Sequence, residues 1–136
     1  MAMDSTKVHI PGNITTPFGG QTRGEPVHPG VDIANKPGTD IPALADGIVA
    51  SAGPTSNGMG NIIVLKDVQG NTHQYGHLQN ILVKVGQSVR KGQIIGKMGK
   101  TGNSYSETGG DPTHLDIRIA NAYGKWKNPL TYLRNK

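Results

Sequence analysis

Five histidines, nine acidic residues and no cysteine set the chemistry open to this 136-residue chain. Without thiolates a metal site must draw on imidazole and carboxylate, and a catalytic zinc takes three such ligands and keeps an open position. Three short stretches bring those residue types together. In His28-Pro-Gly-Val-Asp32 a turn-forming Pro-Gly spacer can swing a histidine and an aspartate toward one point. In Thr113-His114-Leu115-Asp116 the two polar side chains alternate along a strand-like run, so both point to one face. In Tyr75-Gly76-His77-Leu78 a histidine ends a run that carries His73 and Tyr75 on the same face. Each stretch alone has an ordinary structural explanation, such as a His–Asp hydrogen bond or a strand edge facing water.

The elements that must position these residues are short. Strands are expected at IPALADGIVASAG (Ile41 onward), NIIVLKD, THQYGHL, ILVKVGQ, QIIGKM and HLDIRI, where β-branched residues recur between turn signals. DVQGN, Asp67 to Asn71, reads as a hairpin connection. Helical periodicity is weak; the best helix candidate is the tail NPLTYL, with Asn128 as N-cap and Pro129 in the first turn. Twenty glycines and nine prolines are spread along the whole chain, with no linker or low-complexity tract. The expectation is one all-β domain over residues 1–136, built of antiparallel sheets.

Taken in order, the motifs are far more specific than any one of them. PFG, HPGVDIA, GTDIPALADGIV, GNIIVLKD, YGHL, VGQSVRKGQIIG, HLD and the closing NPLTYL follow one another from about Ile14 to Leu133. That series resembles the lysostaphin/LytM-type zinc metallopeptidases, which cut peptide bonds in peptidoglycan. The resemblance implies a fold of the barrel-sandwich-hybrid type with long loops around a groove. It implies His28 and Asp32 as the first two ligands of one Zn²⁺, and His77 and His114 as catalytic residues. The family then places a second histidine of a His-x-His motif as the third ligand; here that position is Asp116.

Asp116 can ligate in principle, because carboxylate oxygen binds zinc at about the same 2.0–2.2 Å as imidazole nitrogen. The charge differs, however. Two histidines and one aspartate leave the zinc complex at +1, whereas His28, Asp32 and Asp116 bring it to zero. A less positive centre polarises a carbonyl less and acidifies water less. An oxygen-richer set also makes Mn²⁺ or another hard divalent ion more acceptable. The expectation is a metal-dependent endopeptidase acting through a metal-activated water, with weaker metal binding or slower chemistry than a two-histidine relative. The alternative is a catalytically degenerate module that serves cell-wall binding or assembly.

Fourteen basic residues against nine acidic ones give a net charge of +5, compatible with anionic wall polymers, nucleic acid or a membrane surface and selecting none of them. No run approaches the length of a membrane span and no secretory leader opens the chain. The partners implied by the resemblance are peptidoglycan stem or cross-bridge peptides, with no nucleic acid and no membrane insertion. The domain is expected to be a monomer within a longer chain, in the extracellular wall or in a phage virion tail. Among weaker signals, His73 reads as a half-exposed strand histidine, Tyr75 as core, His9 as solvent-exposed, and Glu107 as a spare carboxylate in a long loop. MGKTG lacks the first glycine of a phosphate loop, which would fall on Ile94, and no helix follows it. A biotin- or lipoyl-carrier reading fails because Lys97-Met98 lies in a strand-like run without an exposed hairpin tip.

Overall fold

The computed structural model describes residues 6–19, 27–102 and 110–135. Their strands are β1 (Val8–His9), β2 (Asn13–Thr16), β3 (Gly30–Ala34), β4 (Asp40–Pro42), β5 (Gly47–Pro54), β6 (Asn61–Asp67), β7 (Thr72–Gly76), β8 (Leu78–Ile81), β9 (Ser88–Val89), β10 (Ile94–Met98), β11 (His114–Ala120), β12 (Trp126–Lys127) and β13 (Leu133–Arg134). The main sheet runs β2-β3-β11-β7-β6-β5-β9, with β12 on the end of β11, and a smaller sheet runs β4-β10-β8. All the ladders in both sheets are antiparallel; only β1 and β13 pair in parallel. One apolar core joins the sheets, with Ile33, Ile63, Leu65 and Ile117 from the larger and Ile41 and Ile95 from the smaller, all fully buried. The all-β antiparallel expectation is met. No helix among the described residues is long and apolar enough to cross a membrane.

NIIVLKD, QIIGKM and HLDIRI form strands close to where alternation puts them. Three runs depart from expectation for local reasons. IPALADGIVASAG splits in two at Ala43, whose backbone bonds to Gln93 and Gly92, while the Leu44 amide donates to the buried Tyr75 hydroxyl at 3.0 Å. ILVKVGQ leaves the sheet after Ile81; Gly86 takes a φ of +88° and the Gln87 side chain accepts from the Lys84 amide, closing a turn that exposes Leu82 and Val85. THQYGHL breaks at His77. The tail is a single 3-10 turn, Pro129–Thr131, capped as expected by the Asn128 side chain, which accepts from the Leu130 amide.

The hairpin Asp67–Asn71 carries a buried polar network. Asp67 accepts from the amides of Gln69 and Asn71, from the Asn71 side chain and from His73 Nε2 at 2.9 Å. His73 is therefore fully buried against Asp67, not half-exposed on the strand. Burial pushes its imidazole below the ordinary value, more than the Asp67 contact raises it. Burial would push Asp67 up, but the hydrogen bonds from His73 and Asn71 outweigh it and hold the carboxyl low. A depressed carboxyl contributes stability that is present above its unfolded value and lost as pH falls through the folded one. Asp67→Asn is expected to cost about 1–3 kcal/mol at neutral pH. The gap to wild type should narrow below about pH 4, as read from urea unfolding across a pH series; a constant gap would show that Asp67 is not the titrating group.

Candidate active site

β3 and β11 lie side by side with Asp32 opposite Asp116 and Gly30 opposite Arg118. Val31 and Ile33 of β3 and Leu115, Ile117 and Ile119 of β11 fill the core. The pleat therefore turns Asp32, Asp116 and Arg118 to the opposite face. His28 lies two residues before β3 and is held there in part by its carbonyl, which accepts from the Gly19 amide at 2.8 Å. On the far side of β11, Gly76 faces Asp116 and presents no side chain to the site.

His28 Nε2 lies 3.3 Å from Asp32 Oδ1 and 3.6 Å from Asp116 Oδ2. These spacings are longer than the usual charge-assisted hydrogen bond of about 2.7–2.9 Å. They match the roughly 3.4 Å between neighbouring corners of a tetrahedron with zinc–ligand bonds of about 2.05 Å. One donor atom from each of the three residues lies within 4.8 Å of the other two. Asp32 Oδ1 and His28 Nδ1 are buried and lack a hydrogen-bond partner. An orphaned carboxylate oxygen facing an imidazole nitrogen at ligand spacing fits a divalent cation. Burial would lower the His28 pKa, but the carboxylates of Asp116 and Asp32 reverse this and raise it to about 10. A cation bound at Nε2 must therefore displace a proton, so loading weakens as pH falls.

Two further histidines, His77 and His114, stand beside this cluster, their ring centroids 4.5 Å apart. His77 Nδ1 lies 2.7 Å from the Thr101 carbonyl, and His114 Nδ1 lies 2.8 Å from the Pro112 carbonyl. A carbonyl oxygen only accepts, so each ring must donate Nδ1–H. In the neutral form each imidazole then keeps an unprotonated Nε2, and that of His114 sits 4.0 Å from Asp32 Oδ1. His77 adopts φ 63°, the left-handed region, alone among the described non-glycine residues. Such a conformation costs about 1–3 kcal/mol and persists where the surroundings over-determine it. Here the His77 amide donates to the Met59 carbonyl at 2.7 Å while its ring is tied to Thr101. Burial and the neighbouring His114 hold its pKa below the ordinary value, and the Thr101 hydrogen bond does not offset them.

Asp116 has a second partner that the motifs do not include. Arg118 Nε donates to Asp116 Oδ1 and Nη2 to Oδ2, each at 2.9 Å, a two-pronged ion pair. Burial would raise the Asp116 pKa, but His28 and Arg118 together hold the carboxyl well below the usual range. Arg118 was legible in principle: opposite charges two apart on one strand share a face.

The structure thus brings His28, Asp32, Asp116, His77 and His114 together. It leaves His73 with Asp67 at the hairpin and exposes His9. Tyr75 is fully buried and bonds Leu44, away from the site. Lys97 sits within β10 and pairs with Asp40, consistent with rejecting a carrier role. MGKTG serves the site differently, through the Thr101 carbonyl that orients His77. Glu107 lies outside the described residues.

The family description "Peptidase family M23" matches residues 26–129. The chain is 46% identical over 112 residues to glycyl-glycine endopeptidase ALE-1 of Staphylococcus capitis, covering 79% of this chain and 29% of that protein. It is 38% identical over 122 residues to murein hydrolase activator NlpD of Escherichia coli K12, covering 90% of this chain and 29% of the relative. It therefore spans under a third of the length of these curated relatives. Its fold superposes on the catalytic domain of the antimicrobial peptidase lysostaphin from Staphylococcus simulans with a TM-score of 0.73 and 31% identity, covering 89% of each chain.

Proposed function

This chain belongs to peptidase family M23, and on that premise we propose that it is a metal-dependent endopeptidase that hydrolyses peptide bonds in bacterial peptidoglycan. Its metal ligands are His28, Asp32 and Asp116, and its catalytic residues are His77 and His114. The observation that carries the reading is the ligand-spaced His28–Asp32–Asp116 cluster beside two imidazoles whose Nδ1 protons are committed to backbone carbonyls. A zinc ion held there supplies Lewis acidity, polarising a substrate carbonyl and acidifying a water. The histidines supply proton transfer. A neutral imidazole with Nδ1–H donated away accepts at Nε2 first, taking a proton from the attacking water. It donates to the oxyanion or the leaving amine only afterwards. With the rings 4.5 Å apart, protonating one disfavours protonating the other, so one accepts while its neighbour stays neutral. His114, the nearer to Asp32, suits the accepting role; His77, whose Nε2 carries no proton in the neutral form, stabilises an oxyanion only after gaining one.

The substrate class is peptidoglycan stem or cross-bridge peptides, and the similarity to a glycyl-glycine endopeptidase supports it. The protein then acts at the bacterial cell wall, either exported or carried on a phage virion, as a monomeric domain of a longer chain. One observation favours a second reading. Asp32 and Asp116 face His28 and Arg118, so two negative charges meet two positive ones if His28 is protonated. With similarity to a hydrolase activator, this suits a degenerate module that binds the wall or a partner enzyme. Zinc-loaded protein incubated with purified peptidoglycan and with pentaglycine separates the two. The peptidase releases new amino termini from at least one substrate, and a chelator abolishes the release. Binding to peptidoglycan without new amino termini, at one bound zinc per chain, would establish the second reading.

A further inference from the structure

We infer that Arg118 is a built-in counter-charge to Asp116, and that the Asp116–Arg118 pair acts as one unit in place of a neutral third metal ligand. The inference rests on the metallopeptidase reading above and concerns a residue that reading does not use. A neutral histidine in the third position would leave Asp32 as the one anionic ligand. Aspartate adds a second negative charge, and the guanidinium of Arg118, held on both oxygens of that carboxylate, opposes it within the same strand.

The geometry suits this role in four ways. Arg118 follows Asp116 by two residues in β11, so the pleat puts both on the site face. Its fork engages both carboxylate oxygens at 2.9 Å, which fixes the plane of the carboxylate as well as its charge. Side-chain exposures of 14% for Arg118 and 5% for Asp116 leave little water to screen the pair. Finally, β3 makes room for the stem: a Cβ at Gly30 would come within 2.7 Å of Arg118 Cγ and 2.2 Å of the Ile117 carbonyl oxygen. Gly30 lies in the middle of the HPGVD motif, so the segment that supplies His28 and Asp32 also accommodates the arginine. Ligand capacity remains. A carboxylate has about four lone-pair positions; the fork takes two, and Oδ2 still faces His28 Nε2 at 3.6 Å.

The test is a double-mutant cycle read by zinc affinity, using chelator competition on the whole chain: wild type, Arg118→Gln, Asp116→His and Asp116→His/Arg118→Gln. Thermal melts confirm folding, and Arg118→Met, which keeps the stem, substitutes if the Gln variant fails to fold. Asp116→His alone should bind zinc at least about tenfold more weakly than the double variant, the scale on which partners of metal ligands act. In that single variant the guanidinium faces the ion without the Asp116 carboxylate between them. In the wild-type background Arg118→Gln should bind zinc at least as tightly as wild type, because a repelling charge has gone. A gain on Arg118→Gln that is larger in the Asp116→His background than in the wild-type background is the readout a merely supporting salt bridge does not reproduce. An equal change of zinc affinity, gain or loss, on Arg118→Gln in both backgrounds overturns the inference and leaves the metal site standing. Zinc binding by Arg118→Gln but not by wild type also overturns it, since the guanidinium would then hold the place of the cation. No zinc binding by any of the four removes the metallopeptidase reading, and this inference with it.

Discussion

Asp116→Ala is expected to abolish measurable zinc binding. The substitution removes one of three ligand atoms that lie within 4.8 Å of one another, and it also leaves Arg118 beside the site without its carboxylate. The cluster loses a negative charge together with a donor atom. A loss of about a thousandfold or more in affinity, equivalent to about 4 kcal/mol, is expected, with hydrolysis lost in parallel. Folding must be followed separately, because truncating one partner of a buried ion pair costs about 3–5 kcal/mol in general. Arg118 retains some water contact, which places the expected cost at the lower end. Asp116→Asn is the companion variant, since it keeps the shape and one acceptor oxygen for Arg118 while removing the charge. Zinc content and chelator competition at one pH, on protein shown to be folded by its thermal melt, settle the matter. Retention of one zinc with unchanged affinity in Asp116→Ala would mean that His28 and Asp32 recruit a different third ligand.

Much of this site was legible in the sequence because period-two alternation is local. His114, Asp116 and Arg118 lie on one face of β11 by their spacing alone, and the apolar residues between them pack as alternation requires. The ordered motifs placed His28, Asp32 and His77 by resemblance, and the strands at NIIVLKD and HLDIRI needed nothing beyond their own residues. What was not legible depends on partners distant in the chain. His73 looked half-exposed because strand pattern cannot reveal Asp67 curling back from its own hairpin to receive the imidazole. His77 looked like the next residue of a strand face, yet its φ of 63° takes it out of that alternation, tied by Met59 and Thr101. The ring tautomers depend on carbonyls at Thr101 and Pro112, which no motif names. The charge argument for an aspartate ligand was drawn from the motif residues alone; Arg118, which engages both oxygens of Asp116, stands outside those motifs.

His114→Ala should separate proton transfer from metal binding. The imidazole is no member of the His28–Asp32–Asp116 cluster, so zinc stoichiometry should stay at that of wild type while turnover falls by about a hundredfold to ten-thousandfold, the usual contribution of a general acid–base group. His77→Ala should give a loss of similar size, and the double variant should lose little more than either single one, because two rings in contact act as a unit. The pH dependence adds a constraint of definite sign. Turnover requires neutral imidazole at Nε2, and His77 is held below its ordinary value by burial and by His114. Under saturating zinc, protonation of His77 should therefore not limit activity until the pH is below the ordinary histidine midpoint of about 6.5. Saturation matters because His28, raised to about 10, exchanges a proton for the cation and weakens loading in the same direction. If the acid limb at saturating zinc instead lies well above 6.5, a group other than His77 controls the rate. If His114→Ala loses zinc along with turnover, His114 is a ligand, and Asp116 is left as the partner of Arg118 alone.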